Sequence, residues 1–353
     1  MLTAESPGPP SRGRDGGPLV VRLRNWVGDV LLGLPMLQRL ADAGHELHLV
    51  GKGWARDLLA GHGWPVEVLP KTLRERVALL RRLREAGTAK VPAASAPARR
   101  QRIDALCLPY SLSSALEFRL AGARALGHAH EGRSWLLARA LPLQRGRHEL
   151  QTYWELGDAL LGQAAPLPER LALKLAPAHR EAAAKLRAEH GIGGDAHRAG
   201  GAIVICPFAG GTFDKADKTW PGFAAFVHDD LVPLAERQGR QVLVCPGPGE
   251  EAIARSDFPR ALCLEGVGLG TYAALLAEAA LMISNDTGPG HLAAAVDTPL
   301  LSVLGPTDPA QWRAWGPQVH LLGGNGRWPQ RGEVLAAVHE RLAETAAAAR
   351  PPR

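Results

Sequence analysis

Three short polar segments each follow an apolar run that has the composition of a β-strand. The first carries Asp29, the second carries Lys215 and Lys218, and the third carries Asp286 and His291. A carboxylate can take a proton from a hydroxyl group, whereas a lysine can hold a phosphate group as a mobile point charge. These residue types predict a site for a phosphorylated ligand, with a general base nearby.

The first segment, RLRNWVGDVLLGLP, predicts a strand that ends near Asn25 and a helix that begins near Asp29. Gly28 would allow the chain to turn tightly before that helix. Two interpretations of Asp29 remain open at this point. It is either the N-cap of the helix, worth ~1 kcal/mol, or a general base at the mouth of a cleft between two domains.

The second segment, CPFAGGTFDKADKTWPGF, places Gly210 and Gly211 shortly before Lys215 and Lys218. Pro221 would lie near the first turn of the helix that follows. A flexible turn that carries lysines suits the binding of a phosphate group. The alternative is that these lysines are ordinary surface residues.

The third segment, SNDTGPGHLAAA, predicts a helix whose free first-turn N–H groups and dipole would bind an anion. Small residues would let a diphosphate approach the backbone, and Thr287 adds a hydroxyl donor. Asp286 would hold the loop or contact sugar hydroxyls, because a carboxylate repels phosphate. His291 is either a ligand contact or a core histidine. The remaining candidate contacts here are Gly288, Pro289 and Gly290.

Strand-like runs alternate with helix-length segments, such as FAAFVHDDLVPLAERQG, along most of the chain, which predicts an α/β fold with doubly wound parallel sheets. The strand-like runs are LVVRLRN, HELHLVG, VEVLP and IDALCLP in the first half, and AIVICPF, QVLVCPG, ALCLEG, LMISND and PLLSVLG in the second. We expect two Rossmann-like domains that face a central cleft, with ligands at the carboxyl ends of the strands. The usual dinucleotide and P-loop fingerprints, GxGxxG and GxxxxGK[ST], are both missing. The predicted units are a disordered tail (1–17), two domains (18–165 and 170–327), and a final helix with its tail (328–353).

The 353 residues carry a formal net charge of +6, and the basic excess lies within the first 160 residues. It is strongest between residues 71 and 102. This segment is either a solvated helix and loop or a surface for an anionic partner. Four dispersed cysteines predict core thiols rather than disulfides or a zinc site. No apolar run is long enough to span a membrane and no signal peptide is visible, so we expect a cytoplasmic protein.

The blocks RNWVGDVLLGLPMLQRL, ICPFAGG with DKTWPGFAAF, and ISNDTGPGHLAAAVDTPLLSVLGPTDPAQWRAWG resemble, in this order, the ADP-heptose:lipopolysaccharide heptosyltransferases, the family 9 glycosyltransferases. The segment HELQTYWELGDALLG is also similar to the family pattern, and the resemblance runs from about residue 19 to residue 325. It implies a GT-B fold and inverting transfer of heptose from ADP-L-glycero-D-manno-heptose to the lipopolysaccharide inner core. No cofactor or catalytic metal is implied.

Carried over residue by residue, the resemblance implies that Asp29 is the general base and that Lys218 contacts the donor phosphate, with Lys215 as a second candidate to share that role. Glu250 matches the carboxylate that binds the ribose, with Glu251 as an alternative. The donor motif matches at Asp286, Thr287, Gly288 and His291, whereas Gly290 replaces a bulkier residue.

An inner-core acceptor is anionic and lipid-anchored, so the basic first half would meet it at the cytoplasmic face of the inner membrane, as a peripheral protein. The candidate acceptor contacts are Arg24, Asn25, Trp26, Arg81, Arg82, Arg99 and Arg100.

Other functions remain open. The same fold could serve a different nucleotide sugar, as a transferase or an epimerase, and donor preference would decide between them. A non-catalytic scaffold that binds nucleotide sugars is less favoured, because a scaffold needs neither a base nor a phosphate-binding lysine. Nucleic-acid binding ranks last, since the basic segment lacks interleaved aromatic residues.

Overall fold

The computed structural model of the chain describes residues 16–89, 102–193, 201–210, 212–213 and 216–348. They form two six-stranded sheets in which every strand pair is parallel, together with a two-stranded antiparallel ribbon. The predicted pair of doubly wound sheets is therefore confirmed.

The first sheet has the strand order β3-β2-β1-β4-β5-β6, which is the doubly wound order of a Rossmann fold. Its strands are β1 (Pro18–Arg22), β2 (Glu46–Gly51), β3 (Val66–Val68), β4 (Ala105–Cys107), β5 (Ala125–Ala129) and β6 (Arg139–Pro142). The sequence predicted only the first four. The last two contain Gly, His, Arg or Pro, and are weak strand signals by composition.

The second sheet repeats this order as β11-β10-β7-β12-β13-β14. Its strands are β7 (Ile203–Cys206), β10 (Val242–Val244), β11 (Leu262–Cys263), β12 (Leu281–Asn285), β13 (Leu300–Leu304) and β14 (Val319–Gly323). The sequence did not predict the edge strand β14, whose residues are all only partly buried. The ribbon consists of β8 (Thr212–Phe213) and β9 (Ala216–Asp217).

Helices connect the strands in both halves. The helices that precede β7 are α1 (Val27–Asp42), α2 (Trp54–Leu58), α3 (Leu73–Ala89), α4 (Leu112–Leu120), α5 (Glu149–Leu161) and α6 (Pro177–His190). Those that follow are α7 (Phe223–Phe226), α8 (Val232–Arg237), α9 (Glu251–Asp257), α10 (Leu269–Ala277), α11 (Gly288–Ala295), α12 (Pro309–Trp312) and α13 (Arg331–Ala348).

The single helix predicted from FAAFVHDDLVPLAERQG is interrupted. A π-helical turn, Val227–Leu231, separates α7 from α8. Pro233 lies directly after this turn, in the first turn of α8. Proline has no N–H to donate to the carbonyl one turn earlier, and the wider turn accommodates that loss.

One continuous apolar cluster joins the inner faces of the two sheets. It runs from Val21 and Leu31 in the first half to Leu292 and Met282 in the second. A separate cluster, which includes Leu80 of α3, covers the other face of the first sheet. Helix α1 thus lies between the two halves, whereas α3 lies on the far side of the first sheet.

Candidate functional site

The amino-terminal turns of α1 and α11 pack against each other where the two halves meet. A methyl group added at Gly28 would lie 2.8 Å from Cδ2 of His291. One added at Gly288 would lie 3.1 Å from Cβ of Val27. Both glycines therefore permit the two helices to approach closely. The turn predicted at Gly28 is wrong, because this residue lies within the first turn of α1.

Asp29 is the third residue of α1, and the N-cap is Trp26. The interpretation of Asp29 as the N-cap is therefore wrong. Its carboxylate accepts a hydrogen bond from Nε of Arg24 at 3.3 Å and its side chain is 10% exposed. Burial raises the pKa of Asp29, although the positive charge of Arg24 opposes this. The group is thus a mostly buried carboxylate with Arg24 as a fixed cation beside it.

Arg24 also contacts two residues that come from other loops of the first sheet. Its Nη2 lies 3.9 Å from Oε1 of Glu149, at the start of α5. Its guanidinium carbon lies 4.3 Å from the centre of the Tyr110 ring, a cation–π contact. The Tyr110 hydroxyl donates to the same Glu149 oxygen at 2.7 Å. Arg24 is therefore held by two carboxylates and an aromatic face.

His291 lies between the residues of the two halves. It is 7% exposed, and its electrostatic neighbours are Asp29 from the first half and Asp286 and Lys218 from the second. Burial lowers the pKa of His291, while both carboxylates oppose this change. Its Nδ1 is buried and has no hydrogen-bond partner within the described part of the chain. The imidazole therefore has a ring nitrogen that can bond a ligand.

Lys218 lies just after the ribbon, and its Nζ is 3.1 Å from Oδ2 of Asp286 at the end of β12. The neighbouring Asn285 fixes this arrangement. Its Oδ1 accepts from the backbone N–H of Trp220 at 3.0 Å, and its Nδ2 donates to the carbonyl of Pro207 at 2.6 Å. One buried amide thus ties three loops at the carboxyl edge of the second sheet.

The start of α11 offers fewer free donors than the sequence predicted. Thr287 is the N-cap, and Pro289 carries no N–H. The N–H of Gly290 donates to the carbonyl of Thr287 at 3.0 Å. A methyl group on Gly290 would lie 3.3 Å from Oγ of Ser284, so the small residue also serves packing. An anion here would bind to a partly satisfied helix end and a nearby lysine.

The other donor-site candidates lie around the same edge. Oε2 of Glu250 accepts from the backbone N–H of Gly247 at 2.8 Å, and Glu251 bonds Gly249 in the same loop. Gly210 is exposed. Gly211 and Lys215 lie outside the described residues.

The candidate acceptor contacts do not form one group. Asn25 and Trp26 lie in the loop between β1 and α1, and Trp26 is 65% exposed. Arg81 donates to the carbonyl of Leu120, and Arg82 pairs with Glu67. Both arginines belong to α3, so they lie on the face of the first sheet opposite Asp29. Arg99 and Arg100 lie outside the described residues.

Sequence reasoning did not identify four residues that shape this site, namely Tyr110, Glu149, His148 and Asn285. Glu149 and His148 lie in the HELQTYWELG segment, which was singled out only for its pattern. His148 caps α5, and its Nε2 bonds the carbonyl of Arg313 at 2.9 Å across the two halves. The available signal was a polar pair, His148 and Glu149, at the start of an amphipathic helix.

Among the described residues, no group of three or more His, Cys, Asp or Glu side chains could hold a metal ion. In the same residues we find no helix with both the length and the apolar content that a bilayer crossing needs.

Two facing doubly wound sheets define the GT-B class of fold, and solved structures share it. E. coli ADP-heptose LPS heptosyltransferase II aligns with a TM-score of 0.72 at 20% identity, over 93% of this chain and 99% of that one. The family 9 glycosyltransferase of Veillonella parvula aligns with a TM-score of 0.74 at 18% identity, over 94% and 98%. The predicted GT-B architecture is confirmed.

A sequence profile of Glycosyltransferase family 9 (heptosyltransferase) matches residues 99–335, and the chain belongs to this family. Lipopolysaccharide heptosyltransferase 3 of E. coli K12 is 34% identical over 93 residues, which are 24% of this chain and 27% of that protein. Lipopolysaccharide heptosyltransferase 1 of Pseudomonas aeruginosa is 48% identical over 67 residues, or 19% of each. The matches thus span about a quarter and a fifth of these curated relatives.

Proposed function

We propose that this protein is an inverting glycosyltransferase that moves a heptose from ADP-L-glycero-D-manno-heptose to the lipopolysaccharide inner core. One observation carries the proposal. His291 lies between a buried carboxylate of the first half, Asp29, and the Lys218–Asp286 pair of the second. Membership in family 9 supports glycosyl transfer, and the names of the curated relatives support heptose and lipopolysaccharide as the substrates.

The proposed reaction has one chemical step. Asp29 takes the proton from the acceptor hydroxyl as its oxygen bonds the anomeric carbon of the donor. The bond from that carbon to the diphosphate breaks, and ADP leaves with the electron pair. General base catalysis of this kind contributes about 10²–10⁴-fold. Attack from the face opposite ADP inverts the anomeric centre.

Lys218 would neutralise the charge that develops on the leaving diphosphate. This lysine pairs with Asp286 at 3.1 Å, so a diphosphate must compete with that carboxylate for it. His291 would donate or accept one hydrogen bond through its unpartnered Nδ1. Glu250 would bind the ribose hydroxyls from the neighbouring loop. The chemistry of this proposal uses no cofactor.

We propose that the acceptor binds along the first half, at the loop that carries Asn25 and the exposed Trp26. An exposed indole can stack on the apolar face of a sugar ring. The basic excess of the first half would attract the phosphates and carboxylates of the inner core, and with them the inner face of the membrane. The protein would then work as a cytoplasmic, peripheral enzyme.

The test is calorimetric binding of ADP-heptose, UDP-glucose and GDP-mannose to the wild type and to Lys218→Ala. We expect binding of the ADP-sugar only, about tenfold weaker in the variant because it loses a charge-assisted contact to phosphate. Lys185→Ala is the matched control, since that lysine is exposed on α6. Preference for a UDP- or GDP-sugar would reject the heptosyl donor, and binding of none would reject the function.

A further inference from the structure

Arg24, Glu149 and Tyr110 form a closed set of contacts next to Asp29. Arg24 lies 3.3 Å from Asp29 and 3.9 Å from Glu149, and the Tyr110 hydroxyl donates to Glu149 at 2.7 Å. The side chains of Arg24, Asp29 and Glu149 are 17%, 10% and 6% exposed. These charges are therefore poorly screened by water, so each one acts strongly on the others.

Tyr110 is fixed by the fold. Its two chain neighbours, Pro109 and Ser111, offer their carbonyls to the guanidinium of Arg133, which is completely buried. These two hydrogen bonds from Arg133 fix the backbone of the loop between β4 and α4. Tyr110 can then present its ring to Arg24 and its hydroxyl to Glu149 at the same time.

Two carboxylates share one arginine in this arrangement. If Arg24 paired with Asp29 alone, it would stabilise the ionised carboxylate and make it a weaker base. Glu149 opposes that effect, because its negative charge raises the pKa of Asp29. Glu149 also has a role after the proton has moved to Asp29. Once Asp29 is neutral, a mostly buried Arg24 would be unpaired, and Glu149 supplies the compensating charge.

We propose that Glu149 and Tyr110 are positioning residues for the general base, which hold Arg24 so that its charge is divided between Asp29 and Glu149. The proposal rests on the proposed function, in which Asp29 takes the acceptor proton. Arg24 moves its ion pair from Asp29 towards Glu149 as the proton arrives. The pair thus adjusts to the charge of Asp29 at each stage of the reaction.

The pH dependence of Asp29 is set by all the groups that face it. Arg24 comes from the loop before α1, and Tyr110 from the loop after β4. Glu149 and Tyr153 come from α5, and His291 comes from α11. Among these residues Glu149 is the other acidic group. Its removal is therefore the change that lowers the pKa of Asp29 without removing the partner cation.

The test compares the wild type with Glu149→Gln, which keeps the size of the side chain and an acceptor for the Tyr110 hydroxyl. We expect kcat to fall about tenfold, because a weaker base takes the proton less readily. The acid limb of the plot of kcat against pH should move to lower pH, because the negative charge that raises the pKa of Asp29 is gone. The donor KM should stay within about twofold, since the phosphates bind in the other half.

Glu155→Gln is the matched control. Glu155 lies further along α5, where it pairs with Arg147, and the variant should keep the wild-type profile. A Glu149→Gln protein that folds and melts like the wild type but keeps the wild-type acid limb would overturn the proposal. So would a change confined to the donor KM.

A second measurement does not depend on activity. The carboxyl carbon of Asp29, assigned by its loss in Asp29→Asn, can be titrated by NMR in the ligand-free protein. A lower midpoint in Glu149→Gln supports the positioning role even if the wild type transfers no heptose, an outcome that would reject only the proposed function. An unchanged midpoint overturns the positioning role alone.

Tyr110→Phe covers the case in which Glu149→Gln does not fold. It removes the hydroxyl that fixes Glu149 but keeps the ring over Arg24. We expect kcat to fall about threefold with an unchanged donor KM. Wild-type kcat and an unchanged pH profile in this variant would overturn the proposal.

Discussion

His148 should make the stability of the protein sensitive to mild acid. It is 4% exposed, and burial lowers its pKa from 6.5 to about 4. Its Nδ1 accepts from the backbone N–H of Leu150 at 3.2 Å, and its Nε2 bonds the carbonyl of Arg313 at 2.9 Å. A proton on Nδ1 would face the Leu150 N–H. Protonation therefore breaks a helix cap in a buried site, whereas the bond from Nε2 to Arg313 favours the charged ring and only partly opposes the effect of burial.

The sign and size follow from linkage. The unfolded chain binds this proton below its ordinary pKa of 6.5, whereas the folded protein binds it only near about 4. The contribution of His148 is complete above pH 6.5 and is lost as the pH falls towards 4. With these two pKa values the loss is about 2 kcal/mol at pH 5 and about 3 kcal/mol at pH 4.

The assay is urea unfolding of the wild type and His148→Asn at pH 7.5, 5 and 4. At pH 7.5 the variant should be less stable by about 1–3 kcal/mol, because it loses a bond across the two halves and part of a cap. That difference should shrink by about 2 kcal/mol at pH 5, since the variant has no such proton to bind. His190→Asn, at an exposed histidine at the end of α6, is the control. A difference that stays constant with pH would refute the reasoning.

Three further substitutions test the site. Asp29→Asn should lower kcat by about 10²–10⁴-fold, because the general base is lost. Its thermal stability should not fall, because burial already disfavours the charge of Asp29. Asp42→Asn, at the exposed end of the same helix, is the control and should keep full kcat. Gly28→Ala should destabilise the folded protein by about 1–3 kcal/mol, because the added methyl group would clash with the His291 imidazole on α11. Gly53→Ala adds a methyl group to open space and should melt like the wild type. Asn285→Ala should lower the free energy of unfolding in urea by roughly 2–4 kcal/mol, because it leaves a buried N–H and a buried carbonyl without a hydrogen-bond partner. A loss below about 1 kcal/mol would contradict this prediction.

The alternation of apolar runs and helical segments was enough to predict the fold. Runs such as AIVICPF and LMISND are nearly continuous and apolar, as expected for strands buried on both faces of a parallel sheet. β5, β6 and β14 were not predicted, because strands that contain polar, glycine or proline residues lack that signal. Their strand state depends on pairing with a neighbour.

The site was only partly predictable for a related reason. Asp29, Asp286 and His291 were found because each follows a strand, where a doubly wound fold places ligands. Glu149 and Tyr110 contact Arg24 only through the fold, which brings together three segments that are far apart in the sequence. Likewise, the closeness of Gly28 to His291 depends on how α1 meets α11, which no local spacing encodes.

Direct transfer of the sugar tests the central claim most directly. The protein is incubated with ADP-heptose and lipopolysaccharide from a strain that lacks inner-core heptose or its later additions, and the product is weighed by mass spectrometry. We predict that the acceptor gains one heptosyl residue, with inverted anomeric configuration, in the wild type and not in Asp29→Asn. Transfer that survives in Asp29→Asn, or that occurs only with a UDP- or GDP-sugar, would contradict this account.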